Sequence, residues 1–317
     1  MRVLVTGAAG FIGSNLTDRL LSDGHQVAGF DNLSRSRWSF LAKARESPNF
    51  KFIRGDVLDQ PALTAAMAGV DLCCHLAANA DVRFGLDHPR RDLEQNTIAT
   101  SNVLESMRAC GVRRIVFSST GSVYGEPGVF PTPEMAPFPT QTSLYGASKI
   151  ACEALISAYT TGFGVTAHIF RFVSVLGERY NHGHVYDFYR QLRNNPEHLR
   201  VLGNGKQRKS YIHVSDCVEA MLLAVQQVRD GLSVFNLGTD EYCEVNDSVR
   251  WMCEYLRLSP RIEYSGGERG WPGDSPFIFL DCSRIRALGW RPRHTIRDGV
   301  IGTVRYLEEN PEVLENC

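Results

Sequence analysis

The chain lacks the features that mark several protein classes. No apolar run approaches the ~20 residues that a membrane-spanning helix needs, so a soluble protein with no membrane partner is expected. Net charge is nearly absent: 34 Lys and Arg against 35 Asp and Glu give a formal charge of −1. That balance argues against nucleic acid or an anionic membrane surface as partner. C-x-x-C pairs are absent although there are nine cysteines in 317 residues. The count is odd, and Cys73, Cys74, Cys110 and Cys152 lie in apolar stretches, where a reduced thiol acts as a small hydrophobe. A reduced, cytoplasmic setting fits this usage better than a disulfide framework, and no metal site is expected. There is no internal repeat, no low-complexity tract and no G-x-S-x-G elbow of the serine hydrolases. The chain begins directly on a strand candidate, which predicts no leader peptide.

What is present is concentrated at the start. Arg2–Thr6 is a short apolar run bounded by glycine and reads as a buried strand. Gly7, Gly10 and Gly13 follow at three-residue spacing, and Leu16, Leu20 and Leu21 then recur at helical spacing. A strand entering a glycine turn that opens a helix aims backbone N–H groups and a positive helix end at a diphosphate. Gly7 suits the tight turn, Gly10 the close approach of a cofactor, and Gly13 the packing of helix on sheet. Phe11 and Ile12 complete the turn. Asp31 stands eighteen residues beyond Gly13, after a second apolar run. A carboxylate there can accept hydrogen bonds from both ribose hydroxyls and would repel a 2′-phosphate, which predicts NAD over NADP.

Strand and helix candidates alternate through the first half. The strands are Arg2–Thr6, Gln26–Phe30, Lys51–Arg54, Leu72–Leu76, Arg114–Ser118 and Ala167–Phe172. Helices are expected near Ile12–Asp23, Pro61–Met67, Leu93–Cys110 and Tyr145–Gly162. This alternation predicts an α/β fold, a doubly wound parallel sheet covered on both faces. The last two helices carry apolar residues on more than one face, as helices packed against a second subunit would. After Gly177 the texture changes. Arg179–His184 and Leu202–Gly205 read as loops, Val214–Val228 as a helix, Val234–Leu237 as a strand, and the Gly-, Pro- and Trp-rich segment Ser265–Asp274 as a long loop of the kind that carries binding roles.

Tyr145-Gly-Ala-Ser-Lys149 is the second motif. Positions i and i+4 share a helix face, so Lys149 sits one turn from Tyr145. A nearby ammonium stabilises a phenolate, which lets a tyrosine act as general base near neutral pH. Ser118-Ser-Thr120 ends a strand twenty-five residues upstream, where a parallel sheet presents residues to ligand.

The glycine turn, Asp31, Ser118-Ser-Thr-Gly-Ser-Val-Tyr-Gly125 and Tyr145-x-x-x-Lys149 together resemble the extended short-chain dehydrogenase/reductase family. Arg171–Gly177, Leu202–Gln207, Tyr211–Asp216 and Leu288–Pro292 extend the resemblance over nearly the whole chain. His182-Gly, Val185–Phe188, Lys206–Tyr211 and Arg269–Asp274 are most similar to UDP-galactose (UDP-glucose) 4-epimerases of archaeal type. The resemblance implies a Rossmann domain over residues 1–173 that holds NAD, rejoined by segments near 211–238. It implies a smaller lobe over 174–317 that binds a nucleotide-diphosphate sugar, and a homodimer. It also implies a reaction in which C4 of the sugar is oxidised, the 4-keto sugar turns over, and hydride returns to its other face.

Carried over by position, Tyr145 is the base, Lys149 tunes it and holds the nicotinamide ribose, and Thr120 bonds the reacting oxygen. Asn32, Asp56 and Val57 fall at the adenosine, Ala77 and Ala78 along the cofactor, and Asn96 and Ser118 toward the nicotinamide. Related dehydratases carry Asp-Glu directly after the threonine, and related decarboxylases a glutamate at the second position. Here those positions are Gly121 and Ser122, which leaves no acid/base pair for elimination and favours an epimerase. On the substrate side the candidates are Arg83, Ser122, Ser174, Val201, Leu202, Arg208, Lys209, Arg269 and Asp274. Three departures bear on the substrate: Lys209 replaces a customary arginine, Ser174 an asparagine, and Trp271 a phosphate-binding arginine. Rival readings are an epimerase of another nucleotide sugar (a uronate, an N-acetylhexosamine or a heptose), a net dehydrogenase or reductase, and a non-catalytic NAD sensor.

Overall fold

The computed structural model describes residues 1–315 apart from Arg83, Pro139, Pro272, Gly273 and Pro276, so the candidate Arg83 lies outside the described residues. The first half runs β1 (Arg2–Thr6), α1 (Phe11–Ser22), β2 (Gln26–Asp31), β3 (Phe50–Arg54), α2 (Gln60–Met67), β4 (Leu72–His75), α3 (Phe84–Asp87), α4 (Pro89–Asp92), a π-helical turn (Leu93–Ile98), α5 (Ala99–Cys110), β5 (Arg114–Thr120), α6 (Leu144–Phe163) and β6 (Thr166–Phe172). The second half runs β7 (Ser174–Leu176), α7 (His184–Asn194), β8 (His198–Val201), β9 (Arg208–Lys209), β10 (Tyr211–His213), α8 (Val214–Gln227), β11 (Leu232–Leu237), β12 (Cys243–Glu244), α9 (Val245–Leu256), β13 (Arg261–Tyr264), β14 (Phe277–Ile278), α10 (Ser283–Ala287) and α11 (Ile296–Glu309).

Seven strands form one parallel sheet in the order β11-β6-β5-β4-β1-β2-β3. The apolar runs are what make this possible, because a strand buried on both faces needs apolar side chains pointing both ways. β1 shows the division. Val3 and Val5 pack with Leu16 and Leu20 of α1 and Val218 and Met221 of α8. Leu4, between them, faces Leu63 and Met67 of α2 and Val103 and Met107 of α5 on the other side. The order in which the chain lays down strands reverses between β1 and β4, so the C-terminal ends of these parallel strands open a crevice there. Gly7, Asp31, Asp56, Ala77 and Thr120 all follow or end strands of this sheet.

A separate apolar cluster, including Val185, Phe188, Leu199, Val249, Met252, Val300 and Val304, joins α7, α9 and α11. Short sheets pair β7 with β10, β8 with β13, and β9 with both β12 and β14. No described helix is long and apolar enough to cross a membrane.

Two differences from the sequence expectation have physical reasons. The single helix expected over Leu93–Cys110 is a π-helical turn followed by α5. The wide turn seats the Asn96 side chain inward, where it is buried and bonded to Asn79 and Ser148. Strand β5 also continues past Ser118 to Thr120, pairing in register with Phe172.

Candidate active site

The glycine turn is a cradle that admits no side chain at two of its corners. Gly7 has φ +71°, and a Cβ on it would lie 2.8 Å from the Ala77 nitrogen. A Cβ on Gly13 would lie 2.0 Å from the Gly7 carbonyl oxygen. Gly10 is the N-cap of α1 and no side chain caps that helix. The N–H groups of its first turn are therefore available to an anion, with the helix dipole behind them. Phe11 turns away to pack edge-on against Tyr180 at 5.5 Å, and Ile12 is half-buried.

Asp31, 7% exposed, ends β2 beside the glycine turn. Its Oδ2 accepts from the Ala9 N–H at 3.0 Å, and its Oδ1 accepts from the Leu33 N–H at 2.8 Å and the Ser36 hydroxyl at 2.6 Å. A carboxylate offers about four acceptor positions, so Oδ2 retains room for a ribose hydroxyl while Oδ1 is shared already. Asn32 donates to Asp56 Oδ2 at 2.8 Å, and Asp56 Oδ1 accepts from the Leu58 N–H at 2.9 Å. Val57 is a core residue, and Ala77 and Ala78 are half-buried along the floor. A cradle closed to Cβ atoms, an uncapped helix end and a buried carboxylate with an open acceptor fit NAD. Replacing Asp31 with alanine is expected to weaken NAD binding about 10- to 100-fold, the size of one or two charge-assisted hydrogen bonds. Cofactor content after gel filtration measures this, and unchanged content would remove Asp31 from the ribose.

The Ser143 hydroxyl caps α6 by accepting from the Gly146 N–H at 3.0 Å, which starts the helix one residue before Tyr145. Tyr145 is 9% and Lys149 2% exposed. The Lys149 ammonium donates to the Ser118 carbonyl at 2.9 Å and lies 4.6 Å from the Phe117 ring centroid and 6.0 Å from that of Tyr145. Burial pushes the Tyr145 hydroxyl well above its ordinary value, and a hydrogen bond with Thr120 pulls it back. Burial pulls Lys149 down. The Tyr145 hydroxyl is thus dry and bonded to Thr120, and the lysine is anchored on the carbonyl end of β5. Thr120 Oγ1 also accepts from the Ser122 N–H at 3.1 Å and donates to the Ser122 hydroxyl at 3.2 Å. Thr120, Ser122, Tyr145 and Lys149 therefore form one cluster at the end of β5.

Behind them lies Asn96, expected toward the nicotinamide, with Asn79, Ser148 and His75, which the sequence does not single out. Asn96 Oδ1 accepts from the Asn79 N–H at 2.9 Å, and its Nδ2 donates to Ser148 Oγ at 2.9 Å. Ser148 in turn donates to the Tyr145 carbonyl at 2.8 Å. Under the floor, His75 bonds Thr6 at 2.7 Å and Thr100 at 3.1 Å. Burial holds His75 down to about 3, His184 to about 3 and His168 to about 4. These histidines stay neutral in the native state while the unfolded chain takes up protons below about 6.5. The native advantage is therefore complete above that pH and declines as pH falls toward 3–4. A drop from pH 7.5 to 5 is expected to cost up to about 2 kcal/mol per histidine. Urea midpoints at the two pH values test this, and equal midpoints would contradict it.

The substrate-side candidates are distributed unevenly. Adjacent residues of β9 point to opposite faces. Lys209 points inward, where its ammonium bonds Asp274 Oδ1 at 2.8 Å and the Ser275 carbonyl. Arg208 points out and stacks 4.2 Å over the Phe277 ring centroid. Asp274 is buried and also accepts from the Gly270 N–H at 3.0 Å. Arg269 donates to Glu126 at 2.6 Å and to the Asp274 carbonyl at 2.8 Å, tying the loop after Thr120 to the 265–275 loop. Val201 is wholly buried, Leu202 half-exposed, and Ser174 exposed at the start of β7. His184 packs against Tyr211 at 5.0 Å, and among the described residues no group of three His, Cys, Asp or Glu could hold a metal.

The model of the NAD-dependent epimerase/dehydratase family matches residues 3–238. The UDP-glucose 4-epimerase of Mycolicibacterium smegmatis is 34% identical, covering 98% of this chain and 100% of that one. A putative UDP-glucose 4-epimerase of Methanocaldococcus jannaschii is 30% identical, covering 97% and 99%. The crystal structure of a UDP-galactose 4-epimerase superposes with a TM-score of 0.87 at 37% identity, covering 98% and 99%. The dTDP-glucose 4,6-dehydratase of Streptomyces venezuelae, with NAD bound, superposes at 0.91 and 26% identity, covering 99% of each.

Proposed function

The chain belongs to the NAD-dependent epimerase/dehydratase family, and on that premise we propose that it interconverts UDP-glucose and UDP-galactose at C4. NAD, when bound, supplies a reversible acceptor for the C4 hydride. The protein's part is proton handling and placement. Tyr145 takes the proton of the 4-hydroxyl and gives it back to the 4-keto sugar when hydride returns to the other face, so no net redox change results. Thr120 holds the same oxygen, and Lys149 keeps the site cationic. Lys209 and Arg269 are the cations this reading gives to the diphosphate, each already matched by an acid, Asp274 and Glu126.

The observation that carries the choice of epimerase is the surrounding of Thr120. Gly121 and Ser122 follow it, and Ser122 is bonded to Thr120 itself. The nearby acids are engaged elsewhere: Glu126 with Arg269, Glu134 with the Asn236 N–H, Glu153 with Arg171. Elimination across C5 and C6 needs a free acid and base at the sugar, and none of these three is free. UDP-glucose and UDP-galactose, supplied separately without added NAD, should reach the same mixture. Inertness toward both, with a uronate or N-acetylhexosamine turning over, would keep the mechanism and move the substrate.

We also place a homodimer contact on α5 and α6, whose ends and flanking turn expose Leu93, Ile98, Leu144 and Phe163. Sedimentation should give twice the 35.4 kDa chain mass. A monomer would contradict this.

A further inference from the structure

Lys149 is buried, and a buried ammonium must be matched by charge or lose its proton. Cys152, Glu153 and Asp92 all favour its charged form. Burial raises the Cys152 thiol, which stays neutral at working pH. Glu153 is already matched by Arg171 at 2.6 and 3.0 Å, and also takes the Ser119 hydroxyl. His75 is neutral and bonded to threonines on both ring nitrogens.

Asp92 is different. It is 1% exposed. Its Oδ1 accepts from Asn79 Nδ2 at 2.8 Å and faces Asn96 Nδ2 at 3.5 Å, while its Oδ2 is buried with no hydrogen-bond partner among the described residues. A Cβ on Gly85 would come within 2.4 Å of that oxygen, so glycine there makes room for the carboxylate. Asn96 Nδ2 also donates to Ser148, the residue before Lys149, at 2.9 Å. One amide nitrogen therefore stands between the Asp92 carboxylate and the helical turn that carries Tyr145 and Lys149. The π-helical turn begins immediately after Asp92 and swings Asn96 into this position.

We propose that Asp92 is the buried counter-charge of the Tyr145–Lys149 pair, a positioning residue that keeps Lys149 an ammonium and fixes the first turn of α6 through Asn96 and Ser148. The proposal rests on the reading of Tyr145 and Lys149 as the catalytic pair. The electrostatics agree with the geometry. Burial raises the Asp92 carboxyl, the Asn79 hydrogen bond and the Lys149 charge lower it, and Asp81 opposes them. Asp92 also raises Tyr145, so its charge acts on both members of the pair in the same direction.

The sign of the test follows. Removing a negative charge lowers the pKa of every group it faced. Asp92→Asn keeps the shape and loses the charge. In holoenzyme labelled with carbon-13 at the lysine ε-carbons, and assigned with Lys149→Arg, the Lys149 signal should titrate at lower pH in Asp92→Asn than in the unmodified protein. Both limbs of the turnover profile should move to lower pH, raising the ratio of rates at pH 6 and pH 9 at least about threefold. An unmoved lysine signal would overturn the proposal, because a space-filling role predicts a loss of stability without a shift in titration. The lysine signal needs no substrate, so it decides the proposal even if no nucleotide sugar is turned over. If Asp92→Asn does not fold, Asp92→Ser removes the same charge from a smaller side chain and is read in the same way.

Discussion

Tyr145→Phe should keep its fold and its NAD and lose at least ~100-fold in turnover. The ring is buried at the first turn of α6, and the substitution leaves it in place. What disappears is one hydroxyl, the group bonded to Thr120 and the only acid or base assigned to the 4-hydroxyl of the sugar. The neighbouring ionisable groups cannot substitute at that oxygen. Lys149 is held on the Ser118 carbonyl, and Asp92 lies behind Asn96. Turnover measured at matched NAD content isolates the chemical role from binding. Rates near those of the unmodified protein would remove Tyr145 from the reaction.

Gly13→Ala is expected to be the most damaging small substitution in the cofactor site. Its Cβ would stand 2.0 Å from the Gly7 carbonyl oxygen, a backbone atom that cannot rotate aside. Either α1 must lift from the sheet or the glycine turn must open, and both movements displace the uncapped N–H groups that suit a diphosphate. NAD content after purification should fall at least about tenfold, with a stability loss of about 1–3 kcal/mol from overpacking. Gly302→Ala is the matched control. It is also a helical glycine, but a Cβ there meets nothing within 4 Å. It should bind NAD normally and gain up to about 1 kcal/mol in helix propensity. Equal NAD content in the two variants would contradict the close packing assigned to Gly13.

The sheet and the cofactor cradle were legible in the sequence because their signals are local. A strand buried on both faces is a continuous apolar run, and three glycines between such a run and a helical pattern can be read without knowing what lies opposite. Tyr145 and Lys149 were legible because helical spacing alone places them on one face. Asp92 was not, for a physical reason. It sits in Pro89-Arg-Arg-Asp-Leu-Glu94, a run that carries no motif, and the π-helical turn with Gly85 and Asn79 encloses it. Arg208 and Lys209 read as one basic pair, yet strand geometry sends them to opposite faces. The link between Glu126 and Arg269 joins residues 143 positions apart, which no local pattern encodes. Helices α7, α9 and α11 carry apolar residues at helical spacing, as in Val185, Phe188, Tyr189 and Leu192. Polar residues between them kept the pattern from standing out in a segment dominated by loops.

The most direct test of the central claim follows hydrogen at C4. UDP-glucose carrying deuterium at C4 is incubated with the holoenzyme in ordinary water, with no NAD added, and the product is read by proton and deuterium NMR. The account predicts UDP-galactose with the deuterium still at C4, because hydride leaves and returns within one closed site. UDP-galactose formed with hydrogen from water at C4, or a 4-keto product accumulating with reduced cofactor, would contradict it.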